Sequence, residues 1–116
     1  MTHIMKLNPS PFFMIATGKK TIELRLNDEK RRKIGCNDEI TFVNTQDSQK
    51  KLVVKVINIY KFKSFTELYA ELPLLKCGYT EENVLTAKPE DMLMYYSEEQ
   101  QRKYGVLGIE IELKGE

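Results

Sequence analysis

The chain has 116 residues, 41% hydrophobic and 30% charged, with 18 Lys and Arg against 17 Asp and Glu for a formal net charge of +1. This composition suits a globular domain with a packed core; it excludes a disordered polyelectrolyte and leaves no overall field to draw nucleic acid or a membrane. No apolar run approaches the ~20 residues of a bilayer span and no leader-like stretch is visible, so a cytoplasmic location without membrane contact is expected, and one histidine with two cysteines is too small a ligand supply for a metal centre.

Asn8-Pro9-Ser10-Pro11 opens a helix, because proline suits a first turn; Phe12, Phe13 and Ile15 face the core and Gly18 ends it. Thr21 to Leu26 alternates, with Ile22, Leu24 and Leu26 on one face and Thr21, Glu23 and Arg25 on the other, which predicts a strand. Asn27 to Lys33 is charged, and Ile34 to Glu39 is a turn feeding a second strand, Ile40 to Asn44. The polar stretch Thr45 to Lys51 suits a hairpin loop before a long strand, Leu52 to Phe62. Ser64-Phe65-Thr66-Glu67 has capping-box spacing and predicts a short helix that Pro73 ends. Thr80 and Lys88-Pro89 each suit the start of a helical turn, and Ser97 to Gln100 repeats the capping-box spacing for a helix reaching Tyr104. Val106 to Leu113 closes the chain as a half-exposed strand, with Leu107, Ile109, Ile111 and Leu113 on its apolar side. With no repeat, no linker and no regular βαβ alternation, the expectation is one α+β domain over residues 1–116.

The segment from Gly18 to Arg25 is the leading site, because a helix end, a strand start and charges of both signs converge there. Glu23 and Arg25 lie two residues apart, roughly 7 Å along the strand, so both can line one cleft, and Lys20 reaches it from the strand's edge. The plain alternative is a solvated strand face with a surface ion pair contributing ~0–1 kcal/mol.

Gly18, Lys20, Glu23 and Arg25 reproduce a Gly-x-Lys-x-x-Glu-x-Arg pattern that resembles the signature of ASCH domains. The turn Ile34-Gly35-Cys36-Asn37-Asp38-Glu39-Ile40 and the closing Tyr104-Gly105-Val106 are similar to further elements of that family, as is the order of elements. The resemblance implies a PUA-like β-barrel of five to six strands with short helices around it, a fold related to RNA-binding folds, and a cleft lined by the motif residues. It implies no single reaction. The family includes a bacterial amidohydrolase acting on acetylcytidine, in which a motif lysine assists a threonine nucleophile and a downstream glutamate completes the site. Lys20 matches that lysine, but Glu23 stands at the nucleophile position, and a carboxylate does not replace a hydroxyl without a change of mechanism. Thr21, two positions earlier, is a weak substitute; Glu71, Glu81 and Glu82 are candidates for the downstream glutamate.

Around this motif, the run Lys30-Arg31-Arg32-Lys33 offers phosphate contacts to RNA, or is simply a solvated loop. Tyr95, Tyr96 and Tyr104 offer a stacking surface for a base, or pack as cleft wall, and Met92 and Met94 read as gap-filling core. Asn58 or Tyr60 adds a polar group to the cleft, and Cys36 and Cys77 read as two buried, reduced thiols. Phosphate-loop, dinucleotide and nucleophile-elbow motifs are missing, so no cofactor is expected. The expectation is therefore a binding module for RNA or a modified nucleoside held by Lys20, Glu23, Arg25, Tyr96 and Tyr104. The alternative is an amidohydrolase on an N-acylated nucleoside with Lys20 and Glu23 as its catalytic pair, and a blander option is a regulatory domain holding a small metabolite.

Overall fold

The computed structural model describes residues 1–114. Its strands are β1 (Thr2–Leu7), β2 (Ile22–Leu26), β3 (Glu39–Asn44), β4 (Lys51–Phe62) and β5 (Val106–Leu113), and its α-helices are α1 (Pro9–Ala16), α2 (Phe65–Glu71) and α3 (Glu98–Tyr104). Short 3-10 turns at Arg31–Lys33, Leu74–Lys76, Asn83–Thr86 and Pro89–Met94 fill the connections. Both serines cap: Ser64 Oγ accepts from Glu67 N at 3.3 Å and Ser97 Oγ from Gln100 N at 3.1 Å, but only Ser97 forms the reciprocal box, its amide donating to Gln100 Oε1, whereas Glu67 Oε1 accepts from Lys63 N.

The five strands form one sheet in the order β1-β3-β4-β5-β2, parallel between β1 and β3 and antiparallel elsewhere. Twelve-residue β4 pairs with β3 near its start and with β5 along most of its length, and a register shift between Val56 and Asn58 lets it bend. The sheet curls into a half-barrel, with β1 and β2 as the two edges that face each other across its seam. This is the α+β fold the sequence predicts.

Two core clusters form on opposite sides of the sheet. The first joins residues of β1, β3, β4 and β5, among them Met5, Phe42, Val56 and Ile109, to Phe12 and Ile15 of α1. The second joins Ile22, Leu24 and Leu26 of β2 to Phe65 and Leu68 of α2, with Cys77 and Met92. The register sets Glu23 opposite Ile109 and Arg25 opposite Leu107, so the motif charges share the face of the first cluster. β2 is thus covered on both sides, and the solvated-face reading of Glu23 fails: this residue is 3% exposed.

Three further expectations are corrected. β5 is buried on both faces from Val106 to Ile109, because α2 covers the side of Gly108; a Cβ there would lie 2.5 Å from Leu72 Cδ1. Cys36 is exposed, and only Cys77 is buried. The strand β1 was not anticipated. Its inward residues His3, Met5 and Leu7 do alternate, but Ile4 on the outer face blurs the pattern, and its parallel partner β3 begins more than thirty residues later. Among the described residues no helix is long and apolar enough to cross a membrane.

Candidate ligand cleft at the barrel seam

Gly18 adopts φ +79, a left-handed conformation that ends α1, while the amides of Lys19 and Lys20 both donate to Met14 O at 2.9 and 3.0 Å. The chain leaves this turn with Lys20 beside the start of β2. Lys20 Nζ lies 2.7 Å from one Glu23 carboxylate oxygen, and Arg25 Nε donates to the other at 2.7 Å. Arg25 Nη2 also donates to Lys6 O at 2.9 Å. Lys6 belongs to β1, so the motif arginine bridges the two edges that a closed barrel would pair directly. Gly78, at φ +107, gives room to the Lys20 stem: a Cβ there would sit 3.3 Å from Lys20 Cδ.

Burial pushes the Glu23 carboxyl up, but the charges and hydrogen bonds of Lys20 and Arg25 outweigh it and hold the group below the usual carboxylate range. The triad is therefore two cations sharing one anion. It leaves an excess positive charge at the seam, where an anionic group of a ligand would find two fixed donors.

Beside the triad opens a cleft of about 530 Å³, within the range of small-ligand sites. One wall is β1, β2 and α1, including Lys6, Ser10 and Met14; the other is built from α2, the Gly78 turn and the Asn83 to Tyr96 segment. On that second wall the Tyr79 hydroxyl donates to Asp91 Oδ2 at 2.7 Å and meets the Tyr69 hydroxyl at 2.6 Å. Tyr96 stacks on Phe65 with centroids 6.0 Å apart, whereas Tyr95 is 60% exposed at the cleft's lip. Burial pushes the Cys77 thiol, also in the lining, up to about 11, so it stays protonated.

Of the residues read from the sequence, Lys20, Glu23, Arg25 and Tyr96 line this cleft. Tyr104 does not; it packs on the second core cluster with Lys103 Nζ 5.2 Å from its ring centroid. Thr21 precedes β2 and borders a separate, smaller hollow, because its backbone is held by Lys76 O and by the Ile111 amide. Glu71, Glu81 and Glu82 are exposed and outside the lining. Tyr60 donates to Glu110 and, like Asn58, lies away from the cleft. In the basic run, Arg31 pairs with Asp28 at 2.8 Å and Arg32 Nε donates to Asn27 O, while Lys30 and Lys33 are exposed. Burial pushes the Tyr96 phenol up, and no residue of the basic run is in the cleft lining. Met94 is 79% exposed in the lining rather than core, unlike buried Met92. The sequence reading missed Lys6, Tyr69, Tyr79 and Asp91. The one available signal was Asp91 as third residue after Lys88, a capping position whose carboxylate accepts from Lys88 N.

The ASCH domain family model matches residues 5–115. Among solved structures, hypothetical protein PH0355 is 35% identical with a TM-score of 0.81, over 98% of this chain and 100% of its own. Protein PF0455 from Pyrococcus furiosus is 34% identical with a TM-score of 0.70 over the whole of both chains. ASCH from Zymomonas mobilis, at 15% identity and TM-score 0.62, covers 98% of this chain and 67% of its own, and shows the shared PUA-like fold alone. No curated protein matches the chain.

Proposed function

This chain belongs to the ASCH domain family, and from that premise we propose that it is an RNA-binding module whose seam cleft takes one nucleotide-sized unit. The observation that carries the reading is the buried triad: Lys20 and Arg25, fixed at 2.7 Å on either side of Glu23, present a preorganised positive site inside a cleft of nucleotide dimensions. A phosphate seats against Lys20, Arg25 and Lys6, and the base lies along Tyr95 and Tyr96, where stacking contributes ~1–3 kcal/mol per base. Exposed Lys30 and Lys33 extend the track for flanking phosphates.

The test is fluorescence anisotropy of a short labelled single-stranded RNA across a salt series. Binding weakens with salt, and Lys20→Ala and Arg25→Ala each raise Kd by about tenfold, the loss of one charge-assisted contact. Equal retention of RNA and heparin, insensitive to both substitutions, would mean ion exchange only.

Amide hydrolysis is the less supported chemistry. Glu23 at the nucleophile position is engaged on both oxygens by cations, and an ion-paired ammonium at Lys20 has no lone pair with which to take a proton. Incubation with acetylcytidine is the direct check: cytidine released by the wild type and not by Lys20→Ala would replace the binding module with an enzyme.

A further inference from the structure

The second wall of the cleft has a fixed order of protons. A carboxylate only accepts hydrogen bonds, so the single hydroxyl proton of Tyr79 is committed to Asp91 Oδ2. Tyr79 then has nothing to donate to Tyr69, and the 2.6 Å contact between them must use the Tyr69 proton, with Tyr79 oxygen accepting. Both tyrosine protons are consumed inside the chain Tyr69 to Tyr79 to Asp91. Burial first, and the hydrogen bond that Tyr79 donates to Asp91, push the Tyr79 phenol far up, so it keeps its proton.

What remains unused on these residues is acceptors. Asp91 Oδ2 is used twice, by Tyr79 and by the Lys88 amide at 3.2 Å, whereas no hydrogen bond reaches Oδ1 among the described residues. The Tyr69 oxygen likewise keeps its lone pairs. Both residues line the same cavity as Lys20 and Arg25. The cleft is thus polarised, with cationic donors on β2 and the turn before it and acceptors on the wall that α2 and the Pro89–Met94 turn supply.

We propose that Asp91 and Tyr69 form a base-reading subsite that selects a nucleobase carrying an exocyclic amino group. This rests on the nucleotide reading of the cleft. Adenine, cytosine and guanine each offer an amino N–H pair to an acceptor wall; uracil offers one ring N–H flanked by two carbonyl oxygens, which repel the carboxylate. A polar site discriminates when the wrong ligand leaves its hydrogen-bonding groups unpaired.

The experiment is calorimetric titration of wild type, Asp91→Asn and Tyr69→Phe with CMP, AMP, GMP and UMP. Wild type binds the three amino-bearing nucleotides about tenfold or more tighter than UMP, one charge-assisted hydrogen bond. Asp91→Asn brings all four within about twofold with UMP unweakened, a pattern that general damage to the fold would not give. Tyr69→Phe keeps the ring and the cap on the Pro89–Met94 turn, and also narrows the preference. Nucleotide binding without preference, or a preference intact in both variants, overturns the subsite and leaves the cleft reading standing. Absence of nucleotide binding by the wild type overturns both.

Discussion

Glu23 has exchanged water for two cations, and the consequence at residue scale is a strong asymmetry between keeping and breaking the triad. Glu23→Ala leaves Lys20 and Arg25 facing each other with most of their hydration gone, a cost of about 3 kcal/mol by analogy with broken buried pairs, or roughly 10 °C in Tm. Thermal unfolding of the variant checks it. Asp38 gives a second, pH-dependent prediction. The His3 ring, the Gly35 amide and the chain's amino terminus hold its carboxyl down to about 2, against 3.8 for the free group. A lowered pKa means the folded state releases this proton more readily, so the stability it adds is full above about pH 4 and disappears as pH falls toward about 2. Wild type and Asp38→Asn therefore converge in stability across that window, and a gap undiminished at its acid end would remove Asp38 from the account. The two thiols also separate: exposed Cys36 alkylates readily near neutral pH, while buried Cys77, with its thiol pushed up to about 11, reacts far more slowly.

At the scale of elements, two glycines with positive φ do different jobs. Gly18 ends α1 with open space where a Cβ would go, whereas Gly78 is pressed against Lys20. Gly18→Ala and Gly78→Ala each lose about 1–2 kcal/mol from the left-handed backbone, but only Gly78→Ala also weakens ligand binding, because its methyl displaces the Lys20 stem. Equal affinities in the two variants would show that the Gly78 contact does not position Lys20. The motif strand was legible because its alternation is strict from Ile22 to Leu26, and α2 and α3 because each carries its cap in sequence. The acceptor wall was not. Tyr69, Tyr79 and Asp91 lie on three segments joined by irregular 3-10 turns, and nothing local to any one of them reports that their hydroxyls and carboxylate meet. Lys6 enters the site through its backbone carbonyl as well as its place in the lining, and a backbone contribution leaves no side-chain signature.

For the whole molecule, the open seam is what leaves a cleft in the sheet. A barrel closed between β1 and β2 would satisfy both edges with backbone hydrogen bonds; here Arg25 spans the gap to Lys6 O, and the rest of the opening becomes the cleft. The long-range geometry behind this, a parallel β1–β3 pair and a bend in β4, follows from packing across the whole chain, which explains why an α+β class could be read from local patterns while the seam could not. With a net charge of only +1, the protein has no global attraction for RNA, so the proposed binding rests on the place where the cations are fixed. The most direct test is a two-dimensional amide NMR titration of the wild-type protein with a short single-stranded RNA. The account predicts shifts at Arg25, Gly78, Tyr79 and Tyr95 around the cleft, with Asn58 and Tyr60 on β4, outside its lining, unmoved; shifts confined to Lys30 to Lys33, or scattered over exposed lysines, would contradict it.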